Sequence, residues 1–407
     1  MEASPQVPPL SHLRILELGS FIAGPFAGQL LGDLGAEIIK VEPPKVGDPM
    51  RKWGVVQNGE SLWWPSIARN KRSVAIDLRR EEGRELIRRL ANEVDVILEN
   101  FRPGTLEKWG LSYQELSASN PGLIITHVSG FGQTGPMASQ AGFGSIGEAM
   151  GGIRHTTGSP DRPAARTGIS LGDSLAALFA VIGTLAAVAE RDRSGKGQEV
   201  DVAIYEAVAA LMETTMADYE LAGITRTRTG SVLPGVAPSN VYPTADGADL
   251  VIAANADAIF TRLTEAMGQP ELARDPRFGE HENRGENSVV LDEIISTWTS
   301  SMPAEEVLAK LNEHSVPVGR SFTAPDMLAD PQYAAREMVL RLTNSTGIQV
   351  PAAGIVPKFS RTPGQVEHSG PALGAHTHDV LVGLAKLSSR ELHDLINQGI
   401  VATNNQQ

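Results

Sequence analysis

The 407-residue sequence contains no cysteine, which excludes disulfides, cysteine-ligated zinc, iron–sulfur clusters and a thiol nucleophile. Positive charge is scarce, since 35 lysines and arginines face 48 aspartates and glutamates, a formal net charge of −13. That acidic balance predicts no nucleic-acid partner, because no basic field attracts phosphates. No secretory pattern is visible, and no uninterrupted apolar run approaches the roughly 18 residues of a membrane span. We therefore expect no membrane association and a cytoplasmic location.

The first half of the chain alternates short apolar strands with helical patterns. The predicted strands are 13–18, 37–41, 73–78, 94–98 and 123–128, and helices are predicted at 24–34 and 81–93. Such alternation predicts an α/β fold with βαβ units and a mostly parallel sheet. Ligands of these sheets bind beyond the carboxyl ends of the strands, so we expect the functional site among the residues that follow them.

The second half of the chain has a different pattern. Two long apolar helices are predicted at 171–193 and 200–222, and both should be deeply buried or lie at a subunit interface. From about Gly230 a β-hairpin and three helices indicate a smaller α+β domain. Proline-punctuated chain follows from about Ser321. These changes predict a large domain over 1–225, a small domain over 226–320 and a C-terminal segment over 321–407.

Several motifs are open to more than one interpretation. Residues 142–147 (GFGSIG) match G-x-G-x-x-G but do not directly follow a strand, which favours a glycine-rich loop over a dinucleotide fingerprint. His376 and His378 are a candidate metal pair without a convincing third ligand, so we expect no metal site. Lys71 and Arg72 precede a strand, where they are either solvated or form a phosphate clamp.

Asp173 lies at the start of the predicted apolar helix, within Gly172–Ser174. Two interpretations stay open there: an N-cap, or a catalytic nucleophile held as an anion by the helix dipole. Arg102 and Lys108 follow another strand and could meet an anionic ligand.

Short motifs occur in a fixed order along nearly the whole chain. They are Ala23–Phe26, Leu34–Glu42, Asn70–Ser73 with Asp77–Leu78, Glu99–Gly104, Gly130–Pro136, Gly172–Asp173, Gly195–Gln198 and Gly374–Thr377. In this order they resemble the family III CoA-transferases, which include formyl-CoA:oxalate and carnitine CoA-transferases. The resemblance implies a Rossmann-like large domain built from both chain ends, with residues 321–407 completing it. It also implies an interlocked homodimer, in which two chains thread through each other like rings.

The resemblance implies a covalent mechanism with Asp173 as the catalytic aspartate. Asp173 would attack the thioester of a donor acyl-CoA to give an aspartyl anhydride and CoA thiolate. The thiolate would convert the anhydride into an aspartyl-CoA thioester, from which CoA passes to the acceptor acid. CoA and acyl-CoA are substrates in this scheme, and no tightly bound cofactor is expected.

The resemblance also assigns the positions that would contact CoA. They are Ile22, Ala23, Arg72, Asp77, Leu78, Arg79, Asn100, Phe101, Arg102, Lys108 and Phe143. The chain departs from the formyl-CoA enzyme at Pro43, which replaces a nucleotide-binding arginine. Residues 230–235 are the nearest match to the glycine-rich loop that shields that enzyme's aspartate.

The motifs at 130–136 and 374–377 look most like family members that use succinyl-CoA with dicarboxylates. The distal carboxylate of such an acceptor needs a cation. Arg166, seven residues before Asp173, is our candidate, and Arg72 and Arg154 are further ones.

Two other functions stay open at this point. The first is an α-methylacyl-CoA racemase, but the position of the racemase histidine after Ala141–Gly142 holds Phe143. The second is a non-catalytic acyl-CoA-binding protein, against which the intact Asp173 argues.

Overall fold

The computed structural model describes residues 7–404 and divides into two compact units. The first unit contains the described residues up to 154, residues 167–214 and the described residues from 334 onward. The second unit contains residues 155–166 and 215–333. The boundaries predicted from the sequence, at 226 and 320, lie inside the second unit, so the contacts extend that unit beyond the segment with the changed sequence pattern.

Fourteen strands are present in the described chain, and most are short. They are β1 (Arg14–Glu17), β2 (Glu37–Glu42), β3 (Val56–Gln57), β4 (Glu60–Ser61), β5 (Lys71–Ile76), β6 (Val96–Glu99), β7 (Ile124–Ser129), β8 (Glu199–Ala203), β9 (Ser239–Pro243), β10 (Asp249–Ala253), β11 (Val318–Arg320), β12 (Val339–Thr343), β13 (Gln349–Ala353) and β14 (Val401–Ala402). The five strands predicted in the first half are confirmed to within two residues at each end.

Eighteen α-helices are present in the described chain, and α8 is the longest of them. They are α1 (Ala23–Asp33), α2 (Trp64–Ile67), α3 (Glu81–Ala91), α4 (Thr105–Lys108), α5 (Tyr113–Ser117), α6 (Gly144–Met150), α7 (Ile153–Thr156), α8 (Leu171–Ser194), α9 (Ile204–Ala209), α10 (Thr215–Ala222), α11 (Asp257–Ala266), α12 (His281–Glu286), α13 (Ser288–Thr299), α14 (Ala304–Glu313), α15 (Ala324–Ala329), α16 (Pro331–Ala335), α17 (Thr377–Gly383) and α18 (Ser389–Asn397).

The first unit is organised around a seven-stranded sheet of order β14-β5-β2-β1-β6-β7-β8. Its pairings are parallel except for β14, which runs antiparallel to β5. The strand order reverses direction between β1 and β6, because β2 and β5 extend the sheet on one side and β7 and β8 on the other. A crevice beyond the carboxyl ends of β1 and β6 is therefore the expected ligand position. The mixed α/β architecture with a parallel-rich central sheet confirms the predicted fold class.

Helices cover both faces of this sheet, because alternate strand residues point to opposite sides. Leu16 and Ile39 pack with α3, α17 and α18 on one face. Ile15 and Ile38 pack with α1, α8 and α9 on the other. Each face has its own cluster of fully buried aliphatic side chains, which accounts for the continuous apolar runs of the strands.

Helix α8 is the one helix in the described chain that is long and apolar enough to cross a membrane, a test that core helices also pass. Its Ala176, Ala177 and Ala180 are fully buried in the core of the first unit. Leu178 and Ile182 on its other side are exposed. The helix is thus packed against the sheet along one stripe and carries a second, uncovered apolar stripe.

The prediction of a second long helix at 200–222 is wrong. The alternating segment Glu199–Ala203 forms the edge strand β8, paired with β7, and α9 begins only at Ile204. The chain then turns at Glu213, which has a left-handed φ of 52°, before α10. The β-branched Val200 packs closely on α8, since a Cβ at Gly183 would lie 2.6 Å from its side chain. Residues 199–203 therefore form a strand because of tertiary packing, although the alanines that follow them favour a helix.

The second unit has a core of its own. Strands β9, β10 and β11 form an antiparallel sheet, and the β9–β10 pair confirms the hairpin predicted after Gly230. Tyr242, Leu250 and Ile252 pack with α11, α13 and α14. Arg284, fully buried, donates hydrogen bonds to the carbonyl oxygens of Ala237, Phe278 and Asn255 and thereby ties loops of this unit together.

Candidate active site

A cavity of about 450 Å³ lies at the carboxyl edge of the parallel sheet, where the strand order reverses. Loops after β1, β2, β5 and β6 form its walls. It is lined by Leu18, Gly19, Ser20, Val41, Glu42, Pro43, Pro44, Lys45, Val46, Asp48, Ile76, Asp77, Leu78, Arg79, Phe101 and Trp109. Its size is that of a small-molecule site, and its location is the one expected for this topology.

Four of the sequence-predicted residues line this cavity: Asp77, Leu78, Arg79 and Phe101. Arg79 donates two hydrogen bonds to the Asp77 carboxylate, each 2.8 Å long, while its own side chain stays 83% exposed. These hydrogen bonds hold the pKa of Asp77 below its usual value. An ion pair this exposed adds little stability, so its effect is to hold a guanidinium at the rim of the cavity.

Three other predicted residues lie behind the cavity wall. Ile22 and Ala23 are buried at the start of α1, with Ile22 packed against Met50 and Trp64. Asn100 accepts a hydrogen bond from the Ser20 N–H and donates one to the Ser20 carbonyl, both 2.8 Å. It thereby joins the loop after β6 to the loop after β1. These side chains shape the cavity from behind and do not line it.

The remaining predicted cations lie outside the cavity lining. Arg102 and Lys108 are exposed, in the loop after β6 and at the end of α4. Arg72 lies near the amino end of β5, at the opposite edge of the sheet, where it forms an ion pair with Glu37. Arg72 therefore does not line the cavity at the carboxyl edge, and its assignment to CoA stays a prediction.

Asp173 is the third residue of α8, in the first turn of the helix, and is half-buried. The N-cap position is held by Ser170, so the N-cap interpretation of Asp173 is wrong. An acidic residue in the first turn of a 24-residue helix is stabilised as the anion by the helix dipole. The carboxylate lies against the backbone of Gly144, where an added Cβ would be only 2.3 Å from Oδ2.

The glycine-rich segment at 142–147 packs helices together around this carboxylate. Gly142 lies against the Cα of Gly130, Gly144 against Asp173, and Gly147 against Ile204 of α9. A Cβ at each position would approach its neighbour within 2.3–2.7 Å. The glycine-rich loop interpretation is thus the one that these contacts support, and the spacing serves close helix packing rather than binding a pyrophosphate.

An exposed row of aromatic side chains extends from this point. Phe143, the N-cap residue of α6, is 66% exposed and meets Phe21 edge-to-face at 6.3 Å between ring centroids. Phe21 in turn meets Trp53 at 5.7 Å. Phe21 has a left-handed φ of 64°, an uncommon conformation for a bulky residue. Because Phe21 follows β1, its position in the sequence could have indicated a site residue. Nothing in the sequence indicated that Trp53 belongs to the site.

Sequence reasoning also missed a network of buried charged side chains next to the cavity. Lys40 lies 2.9 Å from Glu17 and 2.8 Å from Asp48, and Lys71 lies 2.7 Å from Glu17. All four are at most 2% exposed. Asp48 also accepts a hydrogen bond from the N–H of Phe21, 3.3 Å away. The network therefore fixes the loop that carries the strained Phe21 backbone.

The phosphate-clamp interpretation of Lys71 is wrong, because its ammonium is bound to Glu17 and to the carbonyl oxygen of Pro25. Burial lowers the pKa of Lys71 to about 8. Room for the pair comes from Gly28, where a Cβ would lie 1.9 Å from a Glu17 oxygen.

The predicted acceptor cation Arg166 is exposed and belongs to the second unit. Arg154, in the first unit, lies 3.3 Å from the buried Glu148. The other oxygen of Glu148 accepts the N–H of Gly172, the residue before Asp173, at 3.2 Å. Arg154 is therefore tied to the helix turn that carries Asp173. Among residues 7–404, no group of three potential metal ligands lies close enough to hold a metal ion.

Comparison with known proteins gives a consistent result. The family model described as CoA-transferase family III matches residues 10–377. A succinyl-CoA–D-citramalate CoA-transferase of Chloroflexus aurantiacus is 56% identical over 385 residues, 94% of this chain and 96% of that protein. A succinate–glutarate CoA-transferase of Agrobacterium fabrum is 37% identical, covering 93% of this chain and 96% of that protein.

A solved structure agrees with these sequence comparisons. The crystal structure of a CaiB/BaiF family protein from Brucella suis superposes with a TM-score of 0.82 at 36% identity, covering 93% of this chain and 100% of that one. The sequence resemblance, the fold and the family match point to the same conclusion. The chain belongs to CoA-transferase family III and is a CoA-transferase.

Proposed function

We propose that this enzyme transfers CoA from succinyl-CoA to a dicarboxylic acid of the citramalate type. The observation that carries the proposal is the 56% identity, over almost the whole chain, with a transferase named for succinyl-CoA and D-citramalate. The more distant relative named for succinate and glutarate has the same substrate chemistry. Both names pair a C4 succinyl group or succinate with a C5 dicarboxylate, and this pair is the substrate class that we propose.

Asp173 is the proposed nucleophile. Its carboxylate attacks the thioester carbonyl, the C–S bond breaks, and an aspartyl anhydride and CoA thiolate result. The thiolate then attacks the aspartyl carbon, releasing succinate and leaving an aspartyl-CoA thioester. Attack by the acceptor carboxylate and return of the thiolate complete the exchange. The α8 dipole supports the ionised nucleophile, and each intermediate keeps the energy of the thioester as long as water is excluded.

The cavity at the sheet edge is the proposed site of the CoA moiety. Arg79 presents its guanidinium at the rim, and Arg102 and Lys108 add exposed positive charge after β6. We assign these cations to the phosphates of CoA, since phosphate groups are bound by arginine and lysine. Phe143 is assigned to the thioester end, because its exposed ring adjoins Gly144 and hence the Asp173 carboxylate.

The distal carboxylate of the acceptor requires a cation near Asp173. Arg166 stays a candidate from the sequence. Arg154 has structural support within the first unit, because Glu148 links it to the N–H of Gly172. Its side chain is 27% exposed, so the guanidinium is accessible while the paired Glu148 is not. We therefore assign the distal carboxylate to Arg154 ahead of Arg166.

The enzyme is proposed to act in the cytoplasm as an interlocked homodimer. The first unit includes both ends of the described chain, with the second unit formed by its middle, a chain path compatible with threading. Exposed apolar side chains on α8 and α10, such as Ile182 (60%) and Leu221 (84%), are candidates for burial in the partner. Light scattering after size exclusion should then give twice the 43.3 kDa chain mass, whereas a monomer would contradict the dimer.

The reaction is tested by incubating the enzyme with succinyl-CoA and a panel of mono- and dicarboxylates, with products read by mass spectrometry. We expect new acyl-CoA from citramalate-like acceptors, none from Asp173→Ala, and unchanged binding of free CoA by that variant. Hydroxylamine added during turnover should mark the Asp173 peptide as a hydroxamate. Residual transfer by Asp173→Ala would remove the nucleophile assignment, and Cα deuterium exchange without transfer would indicate a racemase.

A further inference from the structure

Three polar residues from neighbouring strands meet in the sheet: Glu99 at the end of β6, His127 within β7 and Glu199 at the start of β8. His127 Nδ1 lies 2.6 Å from Glu99 Oε1, and His127 Nε2 lies 3.2 Å from Glu199 Oε1. His127 is 4% exposed and Glu99 2% exposed, whereas the Glu199 side chain is 50% exposed. A buried imidazole held between two carboxylates is costly unless it has a purpose or is fully paired. The proposed mechanism uses neither His127 nor Glu99.

The second oxygen of Glu99 connects this group to the cavity. Glu99 Oε2 accepts the backbone N–H of Phe101 at 2.6 Å. The ring of Phe101 stands edge-on to Trp109, 5.2 Å between centroids, and both rings line the cavity. One carboxylate thus holds the histidine with one oxygen and fixes the backbone of a cavity-lining aromatic residue with the other.

The groups around the histidine are mostly acidic. Besides Glu99 and Glu199, Glu107 acts on this group. Burial raises the pKa of Glu99, His127 and the N–H of Phe101 oppose that shift, and the charge of Glu107 adds to it. Asp201 pairs with His127 across β7 and β8, and its carboxylate accepts the N–H of Gln133. Burial lowers the pKa of His127, but the hydrogen bonds and charges of Glu99 and Glu199 outweigh it and raise that pKa overall. The two carboxylates therefore favour the protonated form of the imidazole.

We propose that His127 is a positioning residue for CoA binding: its Nδ1–H orients Glu99, which in turn fixes the Phe101 turn at the cavity wall. This inference rests on the proposed function, because it takes the cavity as the CoA site. Loss of the Nδ1 donor frees the Glu99 carboxylate to turn away from the Phe101 N–H. The rings of Phe101 and Trp109 then lose their fixed position. CoA must order them as it binds, which lowers its affinity.

The test compares His127→Leu with His127→Asn, whose side-chain amide places an N–H donor near the position of Nδ1. Free CoA is titrated into each full-length variant by calorimetry. We expect His127→Leu to weaken CoA binding about tenfold, the loss of one charge-assisted hydrogen bond. The KM for succinyl-CoA should rise with it while kcat stays nearly unchanged, and His127→Asn should recover most of the affinity.

Glu199→Gln is the matched control. Glu199 contacts Nε2 of His127, whereas the N–H of Phe101 is bound by Glu99. Wild-type CoA affinity is expected for that variant. Equal affinity of His127→Leu and wild type, or equal losses in His127→Leu and Glu199→Gln, would overturn the inference. If His127→Leu fails to fold, Glu99→Leu gives the same comparison, and unchanged CoA binding there overturns it too. A wild-type enzyme that binds no CoA would instead refute the proposed function.

Discussion

Gly144→Ala tests whether the Asp173 carboxylate must lie where it contacts the α6 backbone. The added Cβ would lie 2.3 Å from Oδ2 and 2.7 Å from Cγ of Asp173, whereas ordinary contacts begin near 3.4 Å. The atom in the way is the end of a side chain, so the carboxylate moves by about 1 Å and the backbone stays in place. Gly144 is also not among the residues with positive φ, so alanine is not strained there.

The expected loss follows from this displacement. Misplacing a reacting group by about 1 Å costs on the order of 100-fold in rate, roughly 2.7 kcal/mol of barrier. Helix propensity favours alanine over glycine by up to about 1 kcal/mol, so the free energy of unfolding should stay equal or rise slightly. Binding of free CoA should also stay unchanged, because Gly144 does not line the cavity.

The assay is kcat with succinyl-CoA and the preferred acceptor, beside urea unfolding and CoA calorimetry on the same preparation. Gly383→Ala is the matched control, since a Cβ at that helical glycine meets nothing within 4 Å. Wild-type kcat in Gly144→Ala would refute the argument that the carboxylate position is set by this contact. A parallel loss of stability would indicate that the fold, and not the nucleophile, had moved.

Lys40→Met removes the cation that Glu17 and Asp48 share, so the free energy of unfolding in urea should fall by about 3–5 kcal/mol. Lys71→Met should cost less, because Glu17 keeps Lys40, and equal losses would contradict the network. Although burial opposes it, Lys40 holds the pKa of Asp48 below its ordinary 3.8. The stability that ionised Asp48 contributes is therefore complete above about pH 4 and is lost as the pH falls through the lowered pKa of the folded state. In Asp48→Asn, the free energy of unfolding should depend less on pH in this acidic range. Arg154→Gln should raise the KM for the acceptor more than tenfold without changing the KM for succinyl-CoA. Arg154→Lys should raise the acceptor KM less. Equal rises in both KM values would exclude a specific contact with the acceptor.

The sheet edge that forms the cavity was predictable because it follows from local signals. Apolar strand runs ended at Asp77–Arg79 and at Phe101, and parallel strands bring such ends together. The same rule places Arg72 at the opposite edge, since it lies near the start of its strand. The family resemblance assigns Arg72 to CoA, and that assignment stays a prediction that the position of this cavity does not support.

The buried charges and the aromatic row were not predictable, for a different reason. Glu17 ends β1, Lys40 lies within β2 and Lys71 begins β5, so the three meet only when these strands pair side by side. Nothing local to Trp53 indicates that it will meet Phe21. Contacts between distant segments carry no sequence periodicity, so reasoning from a single sequence cannot reach them.

The glycine-rich segment shows how one motif can serve two purposes that substitutions separate. At Gly147 a Cβ would lie 2.5 Å from the side chain of the buried Ile204 and 3.2 Å from the backbone of Tyr205. Neither neighbour can turn away, so Gly147→Ala should overpack the α6–α9 contact and cost about 1–3 kcal/mol of unfolding free energy. Gly144→Ala meets a carboxylate that can turn, and it should cost rate instead. If Gly147→Ala were fully stable yet inactive, the close packing of α6 on α9 would have to act on the nucleophile rather than on the fold.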